Sequence, residues 1–269
     1  MPHLSPVSFG HSSVAWSEHL PYLRQLFEDH EVSRVCELGA GANPALELRE
    51  TNSRGLEYTL LDISAAELAK APAGFRKVQA DLCDPQLELD GQYDFVFSRM
   101  LLEHVTDARQ FHANVWRMLR TGGVAFHFFP TLYSPVFLAN RLIRPAWSER
   151  LLRALAPRDP QREKKFAAYY RWCQGPSSRQ IRRYGELGYD VLAYKGFFGH
   201  GYYSRIPLIG RLHRVVSEWL VAHPLPALTS YAYLVLKRRL NSPAQAVAPS
   251  RSGGRSRSSG AEASAARAL

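Results

Sequence analysis

Apolar and polar positions change period repeatedly along the first half of the chain. Residues 14–30 (VAWSEHLPYLRQLFEDH) repeat apolar positions at helical spacing, which predicts a helix in spite of Pro21. A short strand is predicted at about 33–38. LEYTLLDIS (56–64) is a second β-rich run, ending in Asp62 and leading into a helix from Ser64 to about Lys70. FRKVQADL (75–82) predicts a third strand. YDFVFSRM (93–100) predicts a fourth, apolar enough to be buried on both faces as central parallel strands are. DARQFHANVWRMLR (107–120) is amphipathic, and Thr121-Gly122-Gly123 after it supplies the glycine that helix ends prefer. VAFHFFP (124–130) predicts a fifth strand. Strands alternating with helices imply βαβ units, and hence an α/β fold with a doubly wound, mostly parallel sheet.

The rhythm breaks after Pro130. Residues 131–175 show no obvious strand; PVFLANRLI, SERLLRALA and FAAYYRWC read as helical. A helix returns at 177–189, a strand at 190–198, a helical stretch at 202–222 and a last strand at 230–239. The pattern predicts a single domain over 1–240 with helical insertions, about 131–175 and 199–228, after the fifth and sixth predicted strands. Ligands of open α/β sheets bind outside the C-terminal strand ends, so both insertions are candidates for a substrate lid. Residues 241–269 are rich in Ser, Ala, Gly and Arg without an aromatic, the composition of a disordered basic tail.

Composition adds three constraints. A chain of 269 residues can bury a full core in one large domain. Its net charge of +10 is unevenly placed: residues 1–130 carry 11 Lys/Arg against 17 Asp/Glu, and residues 131–269 carry 23 against 7. Arguments about anionic partners therefore belong to the second half. Cys36, Cys83 and Cys173 are too dispersed for a disulfide framework or a zinc site, which points to a reducing compartment and no metal. The N-terminus lacks a signal-peptide pattern, and no long charge-free stretch suggests a spanning helix. A cytoplasmic protein is expected.

The stretch VCELGAGANPALEL (35–48) carries the most chemistry. A strand meets Gly39 and Gly41, then a run that predicts the start of a helix, whose N-terminus would offer free N–H groups. The dinucleotide fingerprint needs a third glycine where Pro44 stands, and the phosphate-loop pattern lacks its Gly-Lys-Ser/Thr. Glu37, just before the turn, would repel a pyrophosphate and welcome a cation. Asp62, 21 residues beyond Gly41, can accept two ribose hydroxyls, and Asp81 closes the third strand, placed for an exocyclic amine of adenine. Acid, glycine turn, acid and acid describe a positively charged nucleoside without phosphate, and S-adenosylmethionine fits.

ELGAGANP, LLDIS, ADLCD, YDFVFSRMLLEHV and MLRTGG also resemble, in order and spacing, the motifs of class I S-adenosylmethionine-dependent methyltransferases. Within that class the flavour is that of the ubiquinone/menaquinone-biosynthesis enzymes and their small-molecule relatives. The resemblance covers roughly residues 30–130 and implies the Rossmann-like methyltransferase fold. It implies that Glu37, Gly39 and Gly41 line the methionine end, that Asp62 holds the ribose, that Asp81 and Leu82 meet the adenine, and that Ser98 and Arg99 form the fourth-strand side. Asn43-Pro44 departs from the commoner small residues, although Pro suits a first helical position.

Methyl transfer needs at most one general base. His104, beyond a C-terminal strand end, is the candidate, with Glu103 able to share the role. His127, Tyr133 and His200 are weaker, and His127 between two phenylalanines reads better as a core residue. The fourth strand ends Ser98-Arg99-Met100-Leu101, without the Asn/Asp-Pro-Pro-aromatic tetrad used on nucleic-acid bases, leaving an oxygen, carbon or non-base nitrogen acceptor. The insertions mix cations with aromatic and aliphatic residues: Arg141, Arg144, Trp147, Lys164, Lys165 and Tyr169 in one, Arg211, Arg214, Leu212, Val215 and Trp219 in the other. Such faces suit an anionic membrane or RNA. The aliphatic content favours a small or lipid-linked acceptor, with peripheral membrane association, over nucleic acid. An RNA methyltransferase, a degenerate binding subunit and a nicotinamide-dependent oxidoreductase are the rival classes.

Overall fold

A computed structural model describes residues 6–132, 167–200 and 207–240. Most of the 131–175 insertion, Tyr133, the start of the second insertion and the 241–269 tail lie outside the described residues. The elements are β1 (Val7–His11), α1 (Ser12–Asp29), β2 (Arg34–Leu38), α2 (Leu48–Ser53), β3 (Glu57–Asp62), α3 (Ala65–Lys70), β4 (Arg76–Gln79), β5 (Tyr93–Arg99), α4 (Ala108–Met118), β6 (Leu119–Pro130), α5 (Ser178–Glu186), β7 (Tyr189–Phe198), α6 (Pro207–Ala222) and β8 (Tyr231–Arg238). A single 3-10 turn, Leu102–His104, follows β5.

One eight-stranded sheet has the order β1-β7-β8-β6-β5-β2-β3-β4. β8 runs antiparallel to both neighbours, and the other pairings are parallel. The doubly wound, mostly parallel architecture expected from the strand–helix rhythm is therefore present. Alternate side chains of the central strands serve two cores. Val35, Leu60, Phe95, Phe97, Phe126 and Phe128 pack with Leu23, Leu26 and Phe27 of α1. Cys36, Leu61, Val96, Ala125 and Phe129 pack with Phe111 and Val115 of α4 and Tyr184 of α5. The chain adds β3 and β4 on one side of β2, then returns to place β5 and β6 on the other. That reversal leaves a crevice beyond the ends of β2 and β5, where ligands of such sheets bind.

Four elements depart from the sequence reading, the first being FAAYYRWC, whose described residues 167–173 form no helix. β1 was not expected; VSFGH is short and barely apolar, and its partner Tyr194–Phe198 on β7 lies 187 residues further along the chain. The glycine turn does not run into a helix, because α2 begins only at Leu48 and Pro44 sits in the connection. Gly122-Gly123 does not end α4. The helix stops at Met118, and the side chain of Arg238 donates to the carbonyls of Trp116 (3.1 Å), Arg117 (3.3 Å) and Leu119. The two glycines lie in β6, where a Cβ on Gly123 would stand 2.9 Å from the Arg120 carbonyl oxygen.

No helix among the described residues is long and apolar enough to cross a membrane.

Candidate functional site

The glycine turn leaves β2 buried and returns half-exposed at the switch point. Gly39 and Gly41 both hold left-handed backbone, with φ of +66° and +51°. Gly39 N–H donates to Leu61 O at 2.7 Å, which ties the turn to β3. A Cβ on Gly39 would come within 2.7 Å of Leu101 Cδ1, so the segment after β5 closes over the turn only because glycine stands there.

Asp62 is the acid this turn is built around. Its Oδ2 accepts from Gly41 N–H at 2.9 Å and its Oδ1 from Ser64 N–H at 2.8 Å. Each oxygen keeps a lone pair for a hydroxyl donor. Beside it Ile63 is 61% exposed, an apolar surface directly at the mouth of the crevice. The sequence reading passed over Ile63, although an isoleucine next to a strand-ending acid is the available signal. Asp81 is exposed and takes Cys83 N–H on Oδ1 at 2.8 Å. The loop it heads is held by Asn114, whose Nδ2 donates to Leu82 O (3.0 Å) and Asp84 O (2.6 Å).

Three expected contacts are arranged differently. Glu37 is buried and already engaged: it accepts from Ala45 N–H (3.1 and 2.9 Å) and from Tyr58 Oη (2.7 Å). Burial raises its pKa, which weakens it further as a counter-ion for a ligand. Glu37 therefore shapes the turn from beneath rather than lining its open side. Ser98 is fully buried on the α4 side of the sheet, with Oγ 2.8 Å from His127 Nδ1. Leu82 is buried in the same core. Strand alternation explains these placements, since Arg99, one residue past Ser98, takes the opposite face and acts electrostatically on Glu37 and His19.

Beyond β5, His104 Nδ1 lies 2.9 Å from Ala167 O. A carbonyl only accepts, so in the neutral ring Nδ1 carries the proton and Nε2 is the acceptor nitrogen. Nε2 is 3.7 Å from Glu103 Oε1. Glu103 itself is buried, and desolvation pushes its carboxyl up to about 8; Oε2 has no partner among the described residues. His127 is a core residue, its ring 5.3 Å from that of His112. His200 hydrogen-bonds Tyr231 Oη at 2.7 Å, and burial lowers its pKa to about 4.

α1 supplies residues that the sequence alone did not attach to the site. Trp16 stands edge-on to Phe128 (5.1 Å) and Tyr231 (5.8 Å), and His19 lies 5.6 Å from Phe128. These rings cover the C-terminal end of β6, next to the crevice.

The residues suit a nucleoside with a charged amino-acid arm. A half-exposed carboxylate with spare lone pairs suits a diol, an exposed isoleucine suits a purine face, and a turn that runs into no helix N-terminus lacks the usual cradle for pyrophosphate.

Residues 36–127 match a family model described as a methyltransferase domain. No curated protein matches the chain. Among solved structures, an S-adenosylmethionine-dependent methyltransferase from Mesorhizobium loti superposes with a TM-score of 0.52 at 17% identity, covering 81% of this chain and 96% of that one. Phosphoethanolamine N-methyltransferase 2 of Haemonchus contortus, in complex with S-adenosyl-L-methionine, superposes with a TM-score of 0.51 at 15% identity, over 83% of this chain and 53% of its own length. Residues 36–127 thus carry a methyltransferase domain, and the fold around them is the one that S-adenosylmethionine-dependent methyltransferases share. The chemistry of that domain is S-adenosylmethionine-dependent methyl transfer, with S-adenosylmethionine as the cofactor; nothing in these likenesses singles out the quinone-biosynthesis group.

Proposed function

We propose that the enzyme methylates an oxygen, carbon or non-base nitrogen of a small or lipid-linked molecule, working at an anionic membrane surface. The observation that supports this acceptor class is the outer face of α6. Leu212, Val215, Val216 and Trp219 recur at helical spacing and are 65%, 58%, 45% and 54% exposed, while Ser217 and Leu220 face the fold. Arg211 and Arg214 flank the stripe and are exposed. An apolar stripe with a tryptophan and a basic margin suits the interface of an anionic bilayer.

Asp62 would hold the ribose hydroxyls, Ile63 and Asp81 the adenine, and the Gly39–Gly41 backbone with Arg99 the amino-acid end. The bound cofactor supplies the electrophilic methyl group and its leaving group. The protein's own part is alignment, exclusion of water by Trp16, Phe128 and Tyr231, and removal of a proton where the acceptor carries one. His104 Nε2 would take that proton; Glu103, raised to about 8 by burial, stays largely protonated near neutral pH and is less available to accept one.

The test is methyl transfer from labelled S-adenosylmethionine into a cell extract, followed by phase partition. Label in the organic-soluble or small-molecule fraction is expected, and falls when His104 is replaced by Gln. Label in RNA would turn the reading to the nucleic-acid rival. Binding of S-adenosylhomocysteine without transfer into any fraction would favour a binding subunit.

A further inference from the structure

A cavity of about 530 Å³ opens at the N-terminal end of α4, apart from the glycine turn. Its lining includes Arg109, Tyr169, Arg171, Trp172, Arg183 and a single acid, Asp107. One acid against three arginines leaves the lining positive. Asp107 Oδ1 accepts from the N–H groups of Arg109 and Gln110, both at 3.0 Å, so its charge is held by the start of α4. Arg109 and Arg171 are exposed and form no ion pair among the described residues.

The aromatic wall is fixed in place. Trp172 stacks on His112 with ring centroids 5.8 Å apart, and the Arg183 guanidinium lies 5.4 Å from its ring centre. Arg183 is steadied in turn by Gln180 Oε1 at 2.7 Å. Gln180 also donates through Nε2 to Trp172 O at 2.7 Å. Tyr170 and Trp172 both take left-handed backbone, φ +52° and +62°, a conformation that bulky residues rarely adopt. The wall is attached to the catalytic side of the fold: Tyr169 N–H and Tyr170 N–H donate to Glu103 O at 2.6 and 3.0 Å. It therefore continues from the residue next to His104.

Three arginines against one helix-capping carboxylate, with Tyr169 and Trp172 beside them, recognise a dianion attached to an organic body. Guanidinium is the side chain best matched to phosphate oxygens, and a rigid aromatic wall covers what the phosphate is attached to. We propose that this cavity anchors a phosphate carried by the methyl acceptor, either on a soluble monoester or on a lipid headgroup. The inference rests on the acceptor reading above and names the chemical group by which that acceptor is held.

The full-length protein would be titrated with phenyl phosphate, and tested for flotation with phosphatidylcholine vesicles carrying phosphatidic acid or, at equal charge, oleate, the excess with phosphatidic acid over oleate being read so that attraction of α6 to an anionic surface cancels. Arg109→Gln and Arg171→Gln, both surface changes, serve as variants, and S-adenosylhomocysteine titration runs beside every sample. The expected result is phosphate binding that weakens at least about tenfold in each variant while S-adenosylhomocysteine binding is unchanged. Loss confined to phenyl phosphate assigns a soluble acceptor; loss confined to phosphatidic acid vesicles assigns a headgroup. Absence of binding in both arms, or binding that the variants leave unchanged, overturns the proposal. Single-stranded RNA bound in preference to both probes and lost in the same variants would also overturn it, giving the cavity to a nucleic-acid backbone. In Asp62→Ala, phosphate binding should persist when S-adenosylhomocysteine binding is lost, so failure of the donor site is told apart from failure of this one.

Discussion

Gly41 donates its backbone N–H to Asp62 Oδ2 at 2.9 Å, joining the turn after β2 to the end of β3 across 21 residues of sequence. One carboxylate thus shapes the turn and presents its remaining lone pairs to the crevice. Asp62→Ala should weaken S-adenosylhomocysteine binding by at least about tenfold, or roughly 1.4 kcal/mol, with circular dichroism unchanged. Asp62→Asn keeps one acceptor oxygen and should lose less. Calorimetric titration checks both, and full affinity in Asp62→Ala would remove that residue from the site.

Gly39 is constrained twice, by φ of +66° and by Leu101 at 2.7 Å from a Cβ it does not have. Gly39→Ala should cost about 1–3 kcal/mol of stability and weaken cofactor binding. Adding Leu101→Ala removes the steric part and leaves the backbone part. The double variant should therefore recover some of what Gly39→Ala loses. Simple additivity in urea unfolding would show that Leu101 does not close on the turn.

Glu103 makes stability fall as pH rises. Its carboxyl is raised from 4.5 to about 8 by burial, so the folded state holds the proton more tightly than the unfolded chain. That contribution is complete below pH 4.5 and is lost progressively towards pH 8, a change on the order of a few kcal/mol. Glu103→Gln should flatten this slope and be more stable than the parent above pH 8, as read by thermal unfolding across pH. An unchanged slope would mean the carboxyl is hydrated.

The His112–His127 pair acts in the opposite direction. Burial lowers His127 from 6.5 to about 3, and His112 falls well below its ordinary value by burial and by His127 beside it. Stability from keeping both rings neutral is present above pH 6.5 and is lost as pH falls towards 3. His112→Phe keeps a ring against Trp172 and removes one buried titrating group. It should retain about 1 kcal/mol or more of additional stability relative to the parent at pH 5 than at pH 7. Equal pH dependence in the two proteins would sink the assignment.

Much of this enzyme could be read from the chain. The alternation of periods placed six of the eight strands within a residue or two of their observed starts, because buried parallel strands and amphipathic helices carry local patterns. β6 began five residues earlier than expected, and β1 was missed because its pairing with β7 is a long-range event without a strong local signal. Gly39, Gly41, Asp62 and Asp81 were legible for a related reason: turns and strand ends impose residue types on short stretches.

The sequence by itself determined the strand–helix rhythm, the glycine turn and the acid at the end of β3, since each depends on residues close together or on a repeating period. Tertiary structure alone decided which side chains face the crevice. Ser98 and Arg99 are neighbours in the chain and point to opposite faces of β5, while Glu37 is drawn inward by Tyr58 and Ala45. It also decided that Trp16 and His19 join the site and that Arg109, Arg171 and Arg183 share a cavity. Those relationships depend on packing between distant segments, and no local pattern encodes them.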